Sequence, residues 1–129
     1  SNRVLLCQRG PMLVVAMVMT PPTSLRWRGM VRGTLAELSS GTEVAGHAVR
    51  VVVRFAVGRP PRRLRPKLRP RLAALLAQEA HTHGDLAFLN MTDGSCNDGK
   101  TWYTFEWALR HFPEADLIFK HDDDTIVDW

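Results

Sequence analysis

The sequence predicts an α/β fold with a mostly parallel sheet and flanking helices, and three observations support this. Met12 to Met19 is a continuous apolar run rich in valine, which is typical of a strand covered on both faces. Strand-like and helix-like segments then alternate along the chain. Polar side chains cluster where apolar runs end, which is where open α/β sheets bind ligands.

The composition predicts one domain, or part of one, in a chain of 129 residues. The apolar fraction of 45% is sufficient for a buried core, and the net charge of +4 is unevenly placed. No window approaches the roughly 20 apolar residues needed to span a bilayer. Because the chain starts at Ser1 rather than Met and stops directly after an apolar strand pattern, we expect residues 1–129 to be a partial domain cut from a longer protein.

The opening strand is followed by a helix. Prolines within residues 20–24 break the strand, and Ser24 is placed to cap a helix. Helical spacing of apolar positions from Leu25 to Leu38 predicts that helix, with this apolar side: Trp27, Met30, Val31, Thr34, Leu35 and Leu38. Three arginines, Arg26, Arg28 and Arg32, punctuate it.

A basic tract follows the second strand. Val49 to Val57 is strongly strand-like and ends at Gly58. Residues 59–71 then carry seven Arg or Lys and four Pro, which predicts a solvated surface loop because proline disfavours both helix interiors and sheet ladders. A phosphate-binding or nucleic-acid-binding arm is the alternative, although no aromatic residue is interleaved to stack on bases.

The remaining elements continue the alternation. Leu72 to Ala80 predicts an amphipathic helix, and Asp85 to Met91 predicts a third strand. Lys100 to Phe112 predicts a helix with Trp102, Phe105, Leu109 and Phe112 on its apolar side, and Pro113 ends it. The last strand begins at Leu117.

Three carboxylates follow this last strand. Because side chains alternate along a strand, Asp122 and Asp124 would share one face while Asp123 points away. Adjacent negative charges are tolerated when they are solvated or neutralised by a cation, and two carboxylates on one face suit Mg²⁺ or Mn²⁺. The alternative is a polar turn or a weak solvated cation site.

Five separated segments stand out along the chain: Met30-Val31-Arg32-Gly33-Thr34-Leu35, Phe55-Ala56-Val57-Gly58, Glu79 with Gly84-Asp85-Leu86, Thr92-Asp93 with Lys100-Thr101, and Lys120-His121-Asp122-Asp123-Asp124. Together they resemble the β-1,3-galactosyltransferase-like enzymes of glycosyltransferase family 31, which use a UDP-sugar donor. Two departures suggest a distant branch. Leu35 replaces the tryptophan of the family pattern, and the loop 94–99 lacks the usual aromatic residue.

The resemblance implies the Rossmann-like nucleotide-binding half of a GT-A glycosyltransferase fold, truncated here. It implies that Asp124 and Asp122 bind Mn²⁺ or Mg²⁺ against the UDP diphosphate, with Asp122 also near the ribose and Asp123 in a supporting donor-binding role. Residues Thr20 to Thr23, at the end of the first strand, would lie against the uridine, with Thr20 as the donor-binding candidate. Arg26 and Arg32 are the other donor-binding candidates, with a solvated helix face as the alternative for both.

The implied activity is transfer of galactose or N-acetylglucosamine from a UDP-sugar to a glycan hydroxyl, in β-1,3 linkage. The resemblance also implies a Golgi membrane protein with its catalytic part on the lumenal side, an anchor absent from this chain and a catalytic base beyond Trp129. It implies no nucleic-acid partner, and a chain inactive by itself.

Three other hypotheses stay open. Mg²⁺-assisted phosphoryl transfer would need further metal carboxylates, for which Asp85 and Asp93 are candidates. A nucleic-acid-binding module would use the tract 59–71. Finally, the chain would fail to fold stably if its sheet edges need a missing half to cover them.

Overall fold

The structure, a computed structural model, describes residues 11–35, 42–44, 46–94 and 99–122. Its elements are β1 (Met12–Met19), α1 (Leu25–Leu35), β2 (Thr42–Val44), β3 (His47–Arg59), α2 (Leu68–His83), β4 (Leu86–Thr92), α3 (Lys100–His111) and β5 (Leu117–Asp122). Four strands are mutually parallel and helices flank them, which confirms the predicted α/β fold class.

The sheet is built outward from β1. This strand pairs in parallel with β3 on one side and with β5 on the other, and β4 pairs in parallel with the second half of β3. The three-residue β2, which the sequence did not predict, is antiparallel and pairs with the first residues of β3. The parallel strands thus follow the order β4-β3-β1-β5, and their carboxyl ends meet at one side of the sheet, called the carboxyl edge below.

Burial explains why β1 reads as an uninterrupted apolar run. Val15, Ala16 and Met17 are each 0% exposed, so consecutive residues on opposite faces are all covered. On one face, Val15 and Met17 belong to a core that includes Ala108 of α3. On the other face, Val18 packs in a core that includes Leu76 of α2, with α1 contributing beside it. A strand covered on both faces has no position for a polar side chain.

The predicted loop 59–71 is too long. Arg59 is the last residue of β3 and α2 already begins at Leu68, which leaves residues 60–67 as the loop. Pro70 lies in the first helical turn, where proline is tolerated because the first N–H groups of a helix have no intrahelical partner. Helix α2 is therefore longer than predicted at both ends, and Gly84 ends it in the left-handed conformation with φ 63°.

The predicted apolar side of α1 is only partly right: Val31 packs against the core around Leu76 as predicted, but two other predicted residues are exposed. Trp27 is 37% exposed and Met30 is 65% exposed, whereas the fully buried residue of this helix is Arg28. Residues 36–38, the predicted end of the helix, lie outside the described residues.

The predicted apolar side of α3 is also only partly right: Phe112 packs against the core as predicted, but two other predicted residues are exposed. Trp102 and Leu109 are 63% and 62% exposed, and the helix buries Thr104 and Ala108 against the sheet instead. Small side chains at these positions let the helix lie close to the strands.

No helix in the described ranges is long and apolar enough to cross a membrane.

Candidate functional site

The ends of β1 and β5 lie side by side at the carboxyl edge. Met19, the last residue of β1, is the register partner of both Ala56 in β3 and Asp122 in β5. The next residue, Thr20, donates its backbone N–H to the Ala56 carbonyl at 3.2 Å. The Asp122 side chain is exposed there. We call Asp122-Asp123-Asp124 the acidic motif; its first carboxylate, that of Asp122, lies at the end of β5.

Beneath this edge, on the α1 and α2 side of the sheet, lies a buried arginine. Arg28 is 0% exposed, and its Nε and Nη2 each donate to a Glu79 carboxylate oxygen at 2.8 Å. Its Nη1 donates to Thr20 Oγ1 at 3.1 Å and to the Pro21 carbonyl at 2.7 Å, and Nη2 also donates to the Pro22 carbonyl at 3.1 Å. All five N–H donors of the guanidinium have acceptors, which is what makes a buried cation tolerable.

Arg32 extends this cluster by one helical turn. Its Nε and Nη2 donate to the two carboxylate oxygens of Asp85 at 2.7 and 2.8 Å, and Nη2 also donates to Glu79 Oε2 at 2.6 Å. The guanidinium lies 5.0 Å from the centre of the Phe55 ring, within reach of a cation–π attraction. Burial lowers the pKa of Arg32, but the hydrogen bonds and charges of Asp85 and Glu79 together hold that pKa above its usual value.

Glu79 joins the two arginines from the buried face of α2. Burial alone would raise the pKa of the Glu79 carboxyl, and this is the largest single influence on it. The hydrogen bonds and positive charges of Arg28 and Arg32 together outweigh burial and leave the pKa below its usual value. We call Arg28, Arg32, Glu79 and Asp85 the arginine cluster; it joins α1 to α2, to the start of β4 and to the loop after β1.

A second polar group lies on the α3 side of the carboxyl edge. Lys100 Nζ donates to Asp93 Oδ2 at 2.7 Å and to the Thr20 carbonyl at 3.0 Å. Asp93 Oδ2 also accepts the backbone N–H of Gly58 at 2.9 Å. Lys100 therefore connects the start of α3 with the ends of β1 and β4. Thr20 is contacted from both sides of the sheet, at its hydroxyl by Arg28 and at its carbonyl by Lys100.

The structure brings some of the predicted donor-binding residues together. Thr20 is fully buried and Arg32 is held in ion pairs, so both lie in the arginine cluster or in contact with it. Arg26 is exposed on α1 and forms no ion pair within the described ranges. Asp122 is exposed at the carboxyl edge, while Asp123 and Asp124 lie outside the described residues. The donor-binding and metal-binding roles of these residues stay predictions.

Sequence reasoning missed the role of Arg28. Arg28 and Arg32 are four residues apart and so occupy one face of the helix, which was the available signal. Their partners come from a segment 47 to 53 residues away in the chain, and the sequence does not pair them.

The remaining carboxylates of the described residues do not form a metal centre. No group of three or more His, Cys, Asp or Glu side chains in these ranges is arranged to hold an ion. Asp85 and Asp93, the further ligands required by the phosphoryl-transfer hypothesis, are paired with Arg32 and Lys100. Asp122, by contrast, presents an exposed carboxylate, the oxygen type that Mn²⁺ and Mg²⁺ prefer.

The chain is similar to a known protein family. The model of a protein family described as "Galactosyltransferase" matches residues 28–129, which is most of the chain. The matched segment contains the arginine cluster, the Lys100–Asp93 pair and the acidic motif. No curated protein matches the chain.

Proposed function

The chain belongs to the galactosyltransferase family, and from this premise we propose that it is the nucleotide-sugar-binding part of a metal-dependent glycosyltransferase. The proposed donor is a UDP-sugar carrying galactose or N-acetylglucosamine, and the proposed acceptor is a hydroxyl group of a glycan, joined in β-1,3 linkage. Residues 1–129 would form one partial domain. The proposed location of the enzyme is the lumenal side of the Golgi membrane.

The position of Asp122 carries this proposal. The residue ends a strand directly beside the end of β1, at the edge of a parallel sheet. Ligands of open α/β sheets bind at this edge because loops there diverge and leave a crevice. An acidic strand end beside β1 is suited to a nucleotide diphosphate only when a cation neutralises the charges of both partners.

Asp122 and Asp124 are the residues that would hold this cation. Their carboxylate oxygens suit Mn²⁺ or Mg²⁺, with Asp123 supporting the loop. A bound divalent ion would stabilise the negative charge that UDP gains as it leaves. The protein's own residues would orient the donor and hold the strand ends in place.

The nucleotide would meet the loop after β1 rather than the Thr20 hydroxyl. That hydroxyl is already bonded to Arg28, and Arg28 also binds the carbonyls of Pro21 and Pro22. Pro21 and Thr23 are the exposed residues of this loop. Arg28 and Lys100 would therefore act as positioning residues that fix the loop, while Arg26 at the start of α1 is free to approach the donor.

Isothermal titration of UDP into the chain tests the proposal. We expect binding in Mn²⁺ and its loss in EDTA, together with binding weakened about tenfold or more in Asp122→Asn and in Asp124→Asn, because each removes a charged ligand of the cation. Glu114→Gln is the matched control, since Glu114 is an exposed carboxylate ahead of the opposite end of β5. Equal UDP affinity in Mn²⁺ and in EDTA would contradict the metal-dependent site.

A further inference from the structure

A cleft of about 540 Å³ opens beside the Lys100–Asp93 pair. The loop 60–67 forms one wall, the end of β4 forms the other, and Tyr103 of α3 contributes from below. We call it the basic cleft. The polar and charged residues that line it are Arg59, Arg62, Arg63, Asn90, Thr92, Asp93 and Tyr103. The function proposed above uses none of the three arginines.

The charge of the basic cleft is strongly positive. Three guanidinium groups line it, from Arg59, Arg62 and Arg63, and among the described residues the one carboxylate of its lining belongs to Asp93. That carboxylate is already neutralised by Lys100 at 2.7 Å. Within the ranges that the structure describes, Arg62 and Arg63 have no acidic partner. Like charges placed this close together repel, and an anion bound between them removes the repulsion.

The loop that carries these arginines has a defined shape. The Leu64 backbone N–H donates to the Pro61 carbonyl at 3.1 Å, which closes a turn. From the first turn of α2, the Arg69 guanidinium donates to the carbonyls of Leu64 and Arg62. Arg69 thus holds the loop by its backbone, while Arg62 and Arg63 line the cleft.

The opposite wall is fixed as well. Arg59 Nη1 donates to Asn90 Oδ1 at 2.8 Å, which holds one arginine against β4. Gly94 lies so close to the loop that a Cβ there would stand 3.1 Å from Pro61 Cβ. Arg59, held in place, loses less side-chain freedom on binding a ligand, and the planar donor groups of all three arginines match the oxygens of phosphoryl and sulfate groups.

We propose that the basic cleft is an oxyanion subsite that takes a phosphoryl or sulfate group of a substrate. This inference rests on the proposed function, which supplies the two substrates that could carry the group. Two sources share this chemistry: the diphosphate of the nucleotide donor, and an anionic substituent on the acceptor glycan. The cleft borders the carboxyl edge through Asp93, and this is the edge at which the proposed function places the donor.

Titration of inorganic pyrophosphate in EDTA tests the subsite, because without a divalent ion the proposed metal site does not contribute. We expect pyrophosphate to bind the unaltered chain, and affinity to fall about tenfold or more in Arg62→Ala/Arg63→Ala, since charge-assisted hydrogen bonds are lost. Arg65→Ala/Lys67→Ala is the matched control. It removes the same charge from exposed positions of the same loop that do not line the cleft, and its affinity should stay within about twofold.

The UDP affinity of Arg62→Ala/Arg63→Ala in Mn²⁺ separates the two sources. If this affinity falls together with the pyrophosphate affinity, the subsite takes the donor diphosphate; if it equals that of the unaltered chain, the subsite takes an acceptor group. Absence of pyrophosphate binding, or equal loss in both double variants, overturns the subsite and leaves the proposed UDP site untouched. Failure of UDP to bind with Mn²⁺ while pyrophosphate still binds through Arg62 and Arg63 overturns the proposed function alone.

Discussion

At the scale of single residues, the most informative side chain is the fully buried Arg28. Its guanidinium donates two hydrogen bonds to the two carboxylate oxygens of Glu79. Its remaining N–H groups donate to the hydroxyl and carbonyls of the loop after β1. An arginine is rarely buried without a paired carboxylate. Arg28 therefore fixes the position of the loop after β1 at the carboxyl edge rather than adding net stability to the fold.

The two partners of this buried pair should differ in how much stability their loss removes. Glu79→Met leaves Arg28 charged, unexposed and in contact only with neutral acceptors, and we expect a loss of about 3–5 kcal/mol. Arg28→Met costs less, because Glu79 keeps Arg32 as a counter-ion at 2.6 Å. Urea unfolding of both variants measures the difference.

The double variant Arg28→Met/Glu79→Met completes the cycle. It should be more stable than Glu79→Met alone, since it removes the unpaired charge together with its partner. Equal losses from the two single variants would contradict the asymmetry assigned to Arg32.

At the scale of elements, strands followed from the sequence more reliably than helix faces. The runs of β1 and β3 are apolar because neighbouring layers cover them, and a continuous run shows this directly. The predicted helix faces were partly wrong because a large apolar side chain is not always the one that faces the sheet. Helix α3 buries the small residues Thr104 and Ala108 and exposes Trp102. The cationic face of α1 was missed because its partners lie on α2 and ahead of β4.

The join between β3 and β4 depends on a glycine at the carboxyl edge. The register between these strands shifts between Val57 and Arg59. A Cβ on Gly58 would lie 2.7 Å from Met91 Sδ, 2.9 Å from the Met91 carbonyl oxygen and 3.0 Å from the Asp93 nitrogen. Two of these atoms belong to the backbone, so relief requires β4 to move. We expect Gly58→Ala to lower the free energy of unfolding by about 1–3 kcal/mol in urea titrations.

Gly33→Ala is the control for this substitution. Gly33 is an exposed position within α1 where an added Cβ meets nothing within 4 Å. Alanine there should stabilise the chain by about 0.5–1 kcal/mol, because glycine costs more backbone entropy in a helix. If both alanine variants shift stability in the same direction, close approach at Gly58 is not the cause.

At the scale of the whole molecule, the order β4-β3-β1-β5 positions the acidic strand beside β1. Sequence predicted that the apolar runs form a parallel sheet but not which strands are neighbours, because pairing is decided by packing between distant segments. On the α1 and α2 side of the sheet, the arginine cluster connects these two helices to each other and to the start of β4. It connects segments from Thr20 to Asp85 through charged groups, so its strength depends on pH.

Acid should weaken this connection by protonating Glu79, which requires a lower pH than an isolated glutamate does. The pKa of Glu79 is lowered in the folded chain from an ordinary value of 4.5, so the unfolded chain binds a proton more readily than the folded one does. The resulting stability is fully present above that ordinary value and is lost as the pH falls through the lowered pKa.

Urea unfolding of the parent chain and of Glu79→Gln, from about pH 7 to about pH 3, measures this contribution. Near neutral pH the parent should be more stable, because glutamine leaves Arg28 without its buried counter-ion. The gap should narrow as acid protonates Glu79 in the parent, since both chains then carry a neutral group at this position. Glu114→Gln controls for the removal of one exposed carboxylate. A gap between the parent and Glu79→Gln that stays constant down to about pH 3 would mean that Arg28 and Arg32 do not stabilise the ionised form of Glu79.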